Sequence, residues 1–76
     1  MNAERRKELQ KALNMIEEAK STLENLRDEE QDCFDNMPES FQDGKRGDKS
    51  QNAIDEMDNA VSSLDDVIMN IESSME

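Results

Sequence analysis

Hydrophobic residues recur in two long stretches of this chain at alternating spacings of three and four residues. The second stretch is unbroken, through Ile54, Met57, Val61, Leu64, Ile68, Ile71 and Met75. The first has one polar interruption, at Glu30, and runs through Leu9, Ala12, Ile16, Ala19, Leu23, Leu26, Cys33 and Met37. Heptad spacing of this kind is typical of helices that pack along a seam. It predicts two helices, over about residues 3–36 and about 49–75, and no strand.

The connector between the predicted helices, about residues 37–48, contains the only Pro and both Gly. Pro38 disfavours helix at the residue before it and suits the first turn of a new one, so the run PESFQ predicts a single helical turn. Asp48 with Gln51 resembles a capping box that opens the second helix. A connector this short cannot return a parallel helix, so we expect an antiparallel helical hairpin.

The two ends of the first helix have their own signals. Asn2 is an acceptable N-cap for a helix that starts at Ala3. At the other end, we expect Phe34 and Phe41, the only aromatic residues in the chain, to close the open end of the hairpin.

Further apolar positions lie beside each seam. A lone hairpin would leave them in water, and a chain of 76 residues has only a marginal core to compensate for chain ordering. We therefore predict an all-α single domain, residues 1–76, that forms a two-fold homodimer with four-helix-bundle architecture. The candidate oligomer interface consists of Leu13, Phe34, Ala53, Ala60 and Val67.

The net charge of −11 is the strongest compositional signal. It argues against direct binding of nucleic acid and favours a basic protein as any charged partner. From Ser50 to Glu76 there are acids and no Lys or Arg, whereas basic residues crowd the start of the chain. The candidate partner-binding acidic face consists of Asp55, Glu56, Asp58, Asp65, Asp66 and Glu72.

The residue types argue against an enzyme. The chain has no His and a single cysteine, Cys33, so the thiol has no imidazole to activate it, and we expect it to be a small core residue. No spacing predicts a metal or cofactor site, and no apolar run approaches the roughly 18 residues of a membrane span. We expect a cytoplasmic protein. Glu30 has three open interpretations: it meets its counterpart across a dimer axis, pairs with Arg27 or Lys49, or extends to solvent.

The central segment RDEEQDCFDNMPESFQDGKRGDKSQNAID, residues 27–55, resembles small acidic helical-hairpin proteins encoded in bacteriophage and bacterial genomes. In these proteins a segment similar to EEQ, AFDN, LPES, Q and RG joins two amphipathic helices. This chain departs from that pattern at Cys33, where Ala is usual, and at Phe41, where Leu is usual. The resemblance implies a phage or prophage origin in a bacterial host and no particular activity.

Two functional hypotheses follow. One is a self-associating structural or adaptor protein whose role is to form the helical bundle. The other is an acidic inhibitor or nucleic-acid mimic, whose carboxylates would occupy a basic groove of a host or anti-phage defence protein.

Overall fold

The structure, a computed structural model that describes residues 1–76, contains three helices and no strand. Helix α1 spans Ala3–Asp35, α2 spans Glu39–Gln42 and α3 spans Lys45–Ser74. The all-α prediction, with a short helix between two long ones, is confirmed. The molecule is elongated, 58 × 15 × 13 Å between Cα extremes.

The two long helices pack side by side in opposite directions. Lys20 near the middle of α1 contacts Asp65, and Arg27, two turns later, contacts Asp58. The later residue of α1 thus contacts the earlier residue of α3, so the two helices are antiparallel. The hairpin predicted from the heptads is therefore the arrangement of the chain.

The first turn of α1 is capped as the sequence predicts. Asn2 has an extended backbone, and its Oδ1 accepts a hydrogen bond from the Arg5 amide at 2.8 Å. A side-chain acceptor at this position satisfies one of the amides that a helix start leaves without a partner.

Helix α3 begins at Lys45, earlier than the capping-box interpretation of Asp48 and Gln51 predicts. Gly44 occupies the N-cap with an ordinary extended backbone. Asp48 instead lies in the first turn of α3, where a carboxylate interacts favourably with the helix dipole. The connector is correspondingly shorter than residues 37–48.

Gly47 lies inside the first turns of α3 and is buried, because the end of α2 rests on it. A Cβ added at Gly47 would come within 1.9 Å of the Gln42 carbonyl oxygen. The connector therefore needs this glycine for close approach between two backbones, and its φ is not positive.

The α1 seam differs from the predicted one. The row of α1 that faces α3 consists of Leu9, Leu13, Ile16, Lys20, Leu23, Arg27, Glu30 and Phe34. Leu13, predicted to flank the seam, is 5% exposed and joins Ile54, 3% exposed, as the buried hydrophobic core. Leu26, predicted in the seam, is 47% exposed, and Ala19 and Cys33 are exposed as well.

Two long basic residues lie in the row of α1 that faces α3. Lys20 and Arg27 count as interruptions when a seam is read from apolar residues alone. In the structure their aliphatic stems run beside α3 and their charged ends reach the carboxylates of Asp65 and Asp58. The row containing these two residues and the buried Leu13 is therefore the one that packs against α3.

The connector end is closed only in part by aromatic rings. Phe34 is half-buried, and its carbonyl accepts a hydrogen bond from Gln42 Nε2 at 2.9 Å. Phe41 is exposed, with the Arg46 guanidinium 5.5 Å from its ring centroid. The expectation that both rings close this end is wrong for Phe41, because α2 packs on α3 through its backbone at Gly47.

Candidate interaction surfaces

The hairpin has two broad sides that differ in chemistry. Successive helical residues are about 100° apart, so residues beside the seam point to one side or the other. We call one side the ion-paired face, defined by Lys20, Arg27, Asp58 and Asp65. We call the other the open face, defined by Ala19, Leu26, Cys33, Ala53, Ala60 and Val67.

On the ion-paired face, Lys20 Nζ lies 2.5 Å from Asp65 Oδ1. This hydrogen bond raises the pKa of Lys20 above its ordinary value of 10.5; the charges of Asp65, Glu24 and Glu17 raise it further, and desolvation opposes them. The pair joins the middle of α1 to the second half of α3. Both side chains keep access to solvent, so the contact helps to align the helices and contributes little to stability.

The second cross-helix contact of this face is at Arg27. Its Nη1 lies 3.2 Å from Asp58 Oδ1, and its Nε lies 3.1 Å from Asp28 Oδ1 on the same helix. The Nε is shielded from solvent and has no acceptor aligned for a hydrogen bond, so its approach to Asp28 is an electrostatic contact only. One guanidinium thus contacts carboxylates from both long helices.

The open face is apolar along most of the hairpin. A shallow depression where α1 and α3 meet is lined by Leu26, Cys33 and Met57 together with Glu29 and Glu30. Ala53 and Ala60 are half-buried beside Met57, on the side of α3 away from Asp58. The face therefore combines small and larger apolar side chains in two rows, Ala19, Leu26 and Cys33 on α1 and Ala53, Ala60 and Val67 on α3.

The predicted oligomer interface is divided between two places. Ala53, Ala60 and Val67 lie together on the open face, with Val67 38% exposed. Leu13 is buried between α1 and α3, and Phe34 is half-buried in the same row. The reason for assigning these last two to an interface, that a lone hairpin leaves them in water, does not hold. The apolar surface that α1 does present is at Ala19, Leu26 and Cys33.

The predicted acidic face is also divided. Asp58 and Asp65 belong to the ion pairs with Arg27 and Lys20. Helical geometry puts Glu72 in the row of Asp58 and Asp65, and Asp55 on the same side but farther from the seam. Asp66 lies at the back of α3 and Glu56 on the open side, so the predicted set does not form one stripe.

Glu30 has a partner that the sequence interpretation missed. Ser50 is buried, and its Oγ donates a hydrogen bond to Glu30 Oε2 at 3.1 Å. The spacing contains the signal: Gly47 and Ser50 continue the alternating pattern of α3 backward from Ile54, so the seam starts before its first large apolar residue. Of the three interpretations for Glu30, none names this contact.

Comparison with protein-family models, curated proteins and solved structures found no match to this chain. No group of three or more Cys, Asp or Glu side chains is arranged to hold a metal ion. None of the three helices combines the length and the apolar character that crossing a membrane requires.

The depressions in the surface of the hairpin are open to solvent. The one beside the connector is lined by the polar side chains of Glu30, Arg46, Lys49 and Ser50, together with Met37. The thiol of Cys33 is exposed beside Leu26 and Met57 and makes no hydrogen bond. A surface of this kind gains free energy chiefly by removing apolar area from water.

Proposed function

We propose that this chain is a non-enzymatic, self-associating helical protein with a structural or adaptor role, active as a homodimeric four-helix bundle. The observation that carries this proposal is the contrast between core and surface. Leu13 and Ile54 are the only buried hydrophobic residues, whereas Leu26 and Val67 remain exposed on the open face. A pair of helices with so small a core gains more by covering that face than by leaving it hydrated.

A phage or prophage gene in a bacterial host is the origin we propose, with action in the host cytoplasm. This part of the proposal is supported by the resemblance of residues 27–55 to small acidic hairpin proteins of such genomes. The segment includes the Pro38 turn, α2 and Gly47, which together form the compact connector.

Sedimentation equilibrium across a range of protein concentrations tests self-association. We expect a mass near twice the 8.7 kDa of one chain at micromolar concentration, and a thermal unfolding midpoint that rises with concentration. A mass of one chain together with a cooperative, concentration-independent transition would exclude the dimer.

The alternative function is an acidic inhibitor or nucleic-acid mimic of a protein with a basic groove. It is supported by the net charge of −11 and by four carboxylates of the proposed set that make no ion pair: Asp55, Glu56, Asp66 and Glu72. A pull-down from host lysate at low and high salt distinguishes the two functions. Mimicry predicts salt-sensitive capture of a basic protein, lost when these four residues become Asn or Gln.

A further inference from the structure

We infer, on the basis of the proposed self-association, that the second copy docks on the open face and leaves the ion-paired face in solvent. The contact would be made by Ala19, Leu26, Cys33, Ala53, Ala60 and Val67. Two chains of net charge −11 repel each other, so the position of their charges decides where they can approach.

Carboxylates are concentrated on the ion-paired face. Helical geometry places there, beside Lys20 and Arg27, the acids Glu17, Glu24, Asp28, Asp35, Asp55, Asp58, Asp65 and Glu72. The contribution of Glu17 and Glu24 to the field at Lys20 agrees with this placement. A second copy on this side would add its own acids to an already negative surface.

The open face has nearly balanced charge. Its borders hold acids and bases in similar number, Glu8, Glu29, Glu30 and Glu56 with Arg5, Arg46 and Lys49. Neutral polar residues occupy further border positions, including Thr22, Ser63 and Asn70. This is therefore the side on which two copies can meet with the least electrostatic cost, and a basic partner would favour the other side.

Size and shape agree with a second copy as the occupant. A side of the hairpin measures 58 by 15 Å between Cα extremes. Its footprint is on the order of 800 Å², which is what one partner contributes to a standard protein interface. Ala19, Ala53 and Ala60 let two helix pairs approach closely, and Leu26 and Val67 provide larger apolar groups in the same rows.

Val67 and Met69 offer a matched pair for the test. Both are apolar and exposed, at 38% and 65%, and both are on α3. Two positions along a helix correspond to about 200°, so Val67 lies on the open face while Met69 lies on the side of Asp58 and Asp65. A lysine at either position adds the same charge to the same helix.

The experiment compares Val67→Lys and Met69→Lys with the wild type by sedimentation equilibrium. We expect Val67→Lys to raise the dimer dissociation constant about tenfold or more, because the contact must then cover an ammonium group. Met69→Lys should leave it within about threefold of the wild type, which corresponds to less than 1 kcal/mol. If Val67→Lys loses its helical circular dichroism, Val67→Ser and Met69→Ser replace the lysine variants.

The outcomes separate this inference from the proposed function. If the wild type is a dimer and the two variants weaken it equally or not at all, the open face is not the interface, although self-association stands. If Met69→Lys is the disruptive change, the copies meet on the ion-paired face. If the wild type sediments as a monomer, both the proposed function and this inference fail.

Discussion

The hydroxyl of Ser50 donates a hydrogen bond to the Glu30 carboxylate across the contact between α1 and α3, with 3.1 Å between the two oxygens. Ser50 is buried and Glu30 half-buried, so the pair lies within the helix contact. Sliding α3 by one turn would place Ile54 or Arg46 at the level of Glu30 in place of Ser50. The pair therefore helps to set the register of the hairpin near its connector.

Removing the Ser50 hydroxyl should lower the stability of the protein by an amount that depends on whether Glu30 is present. We expect Ser50→Ala to lower the free energy of unfolding by about 1 kcal/mol, the typical contribution of one hydrogen bond. In a Glu30→Ala background the same change should cost less, since the acceptor is gone. Urea unfolding of the four proteins measures this double-mutant cycle. Equal costs in both backgrounds would mean that the contact does not contribute to stability.

The connector depends on the absence of a side chain at residue 47. Gly47→Ala places a Cβ against the backbone of Gln42, which cannot move aside without moving α2. We expect a net loss of about 1–3 kcal/mol, even though Ala is the better helix former. Amide hydrogen exchange should show the loss of protection concentrated in residues 39–50.

Gly44→Ala is the matched control for that prediction. A Cβ at Gly44 would meet its nearest atom, the Ser40 carbonyl oxygen, at 3.3 Å, a contact that small shifts relieve. We expect a loss below about 1 kcal/mol, which reflects only that Ala is a poorer N-cap than Gly. If both variants lose the same stability, the close approach of α2 to Gly47 is not what the connector requires.

The Lys20 ion pair predicts a dependence of stability on alkaline pH. Since folding raises the pKa of Lys20 above 10.5, mainly through the hydrogen bond to Asp65, its contribution is fully present below that pH. The contribution is lost as pH rises through the raised value. Between about pH 9 and pH 12, the wild type should therefore lose more stability than Lys20→Gln does.

Urea midpoints across that pH range measure the difference. Lys7→Gln removes the same charge from a residue that makes no ion pair, so it should follow the wild type. Identical pH dependence in Lys20→Gln and the wild type would show that the pair with Asp65 contributes no measurable stability.

The sequence predicts α3 better than α1 for a physical reason. Every seam position of α3 from Ile54 to Met75 is apolar, so periodicity alone orients that helix. In α1 the facing row includes Lys20, Arg27 and Glu30, whose roles depend on partners that lie in α3. Apolar spacing cannot reveal such partners, and it therefore favoured the row containing Leu26 and Cys33.

For the connector and the candidate interface, too, the sequence predicts the elements better than the contacts between them. The Pro38 signal predicts a helical turn, and α2 is there, but the contact that makes Gly47 necessary joins the backbones of two helices. The spacing of seven residues places Ala53, Ala60 and Val67 on one face of α3, and the apolar seam of α3 shows which face that is. The apolar residues of α1 do not define its orientation in the same way, so the sequence predicts an interface position for Leu13, which is buried.

The rate at which the native thiol of Cys33 reacts with a maleimide tests the dimer and its face together. In a single hairpin this thiol is exposed. If a second copy covers the open face, the rate should fall as protein concentration rises through the dimer dissociation constant. The reference is a thiol introduced by Met69→Cys in a Cys33→Ser background, whose rate should not change with concentration.

We predict protection of Cys33 that follows the dimer fraction measured by sedimentation, with constant reactivity at position 69. A Cys33 rate that is independent of concentration while the protein dimerises would contradict docking on the open face. A constant rate in a protein that stays monomeric would contradict self-association itself.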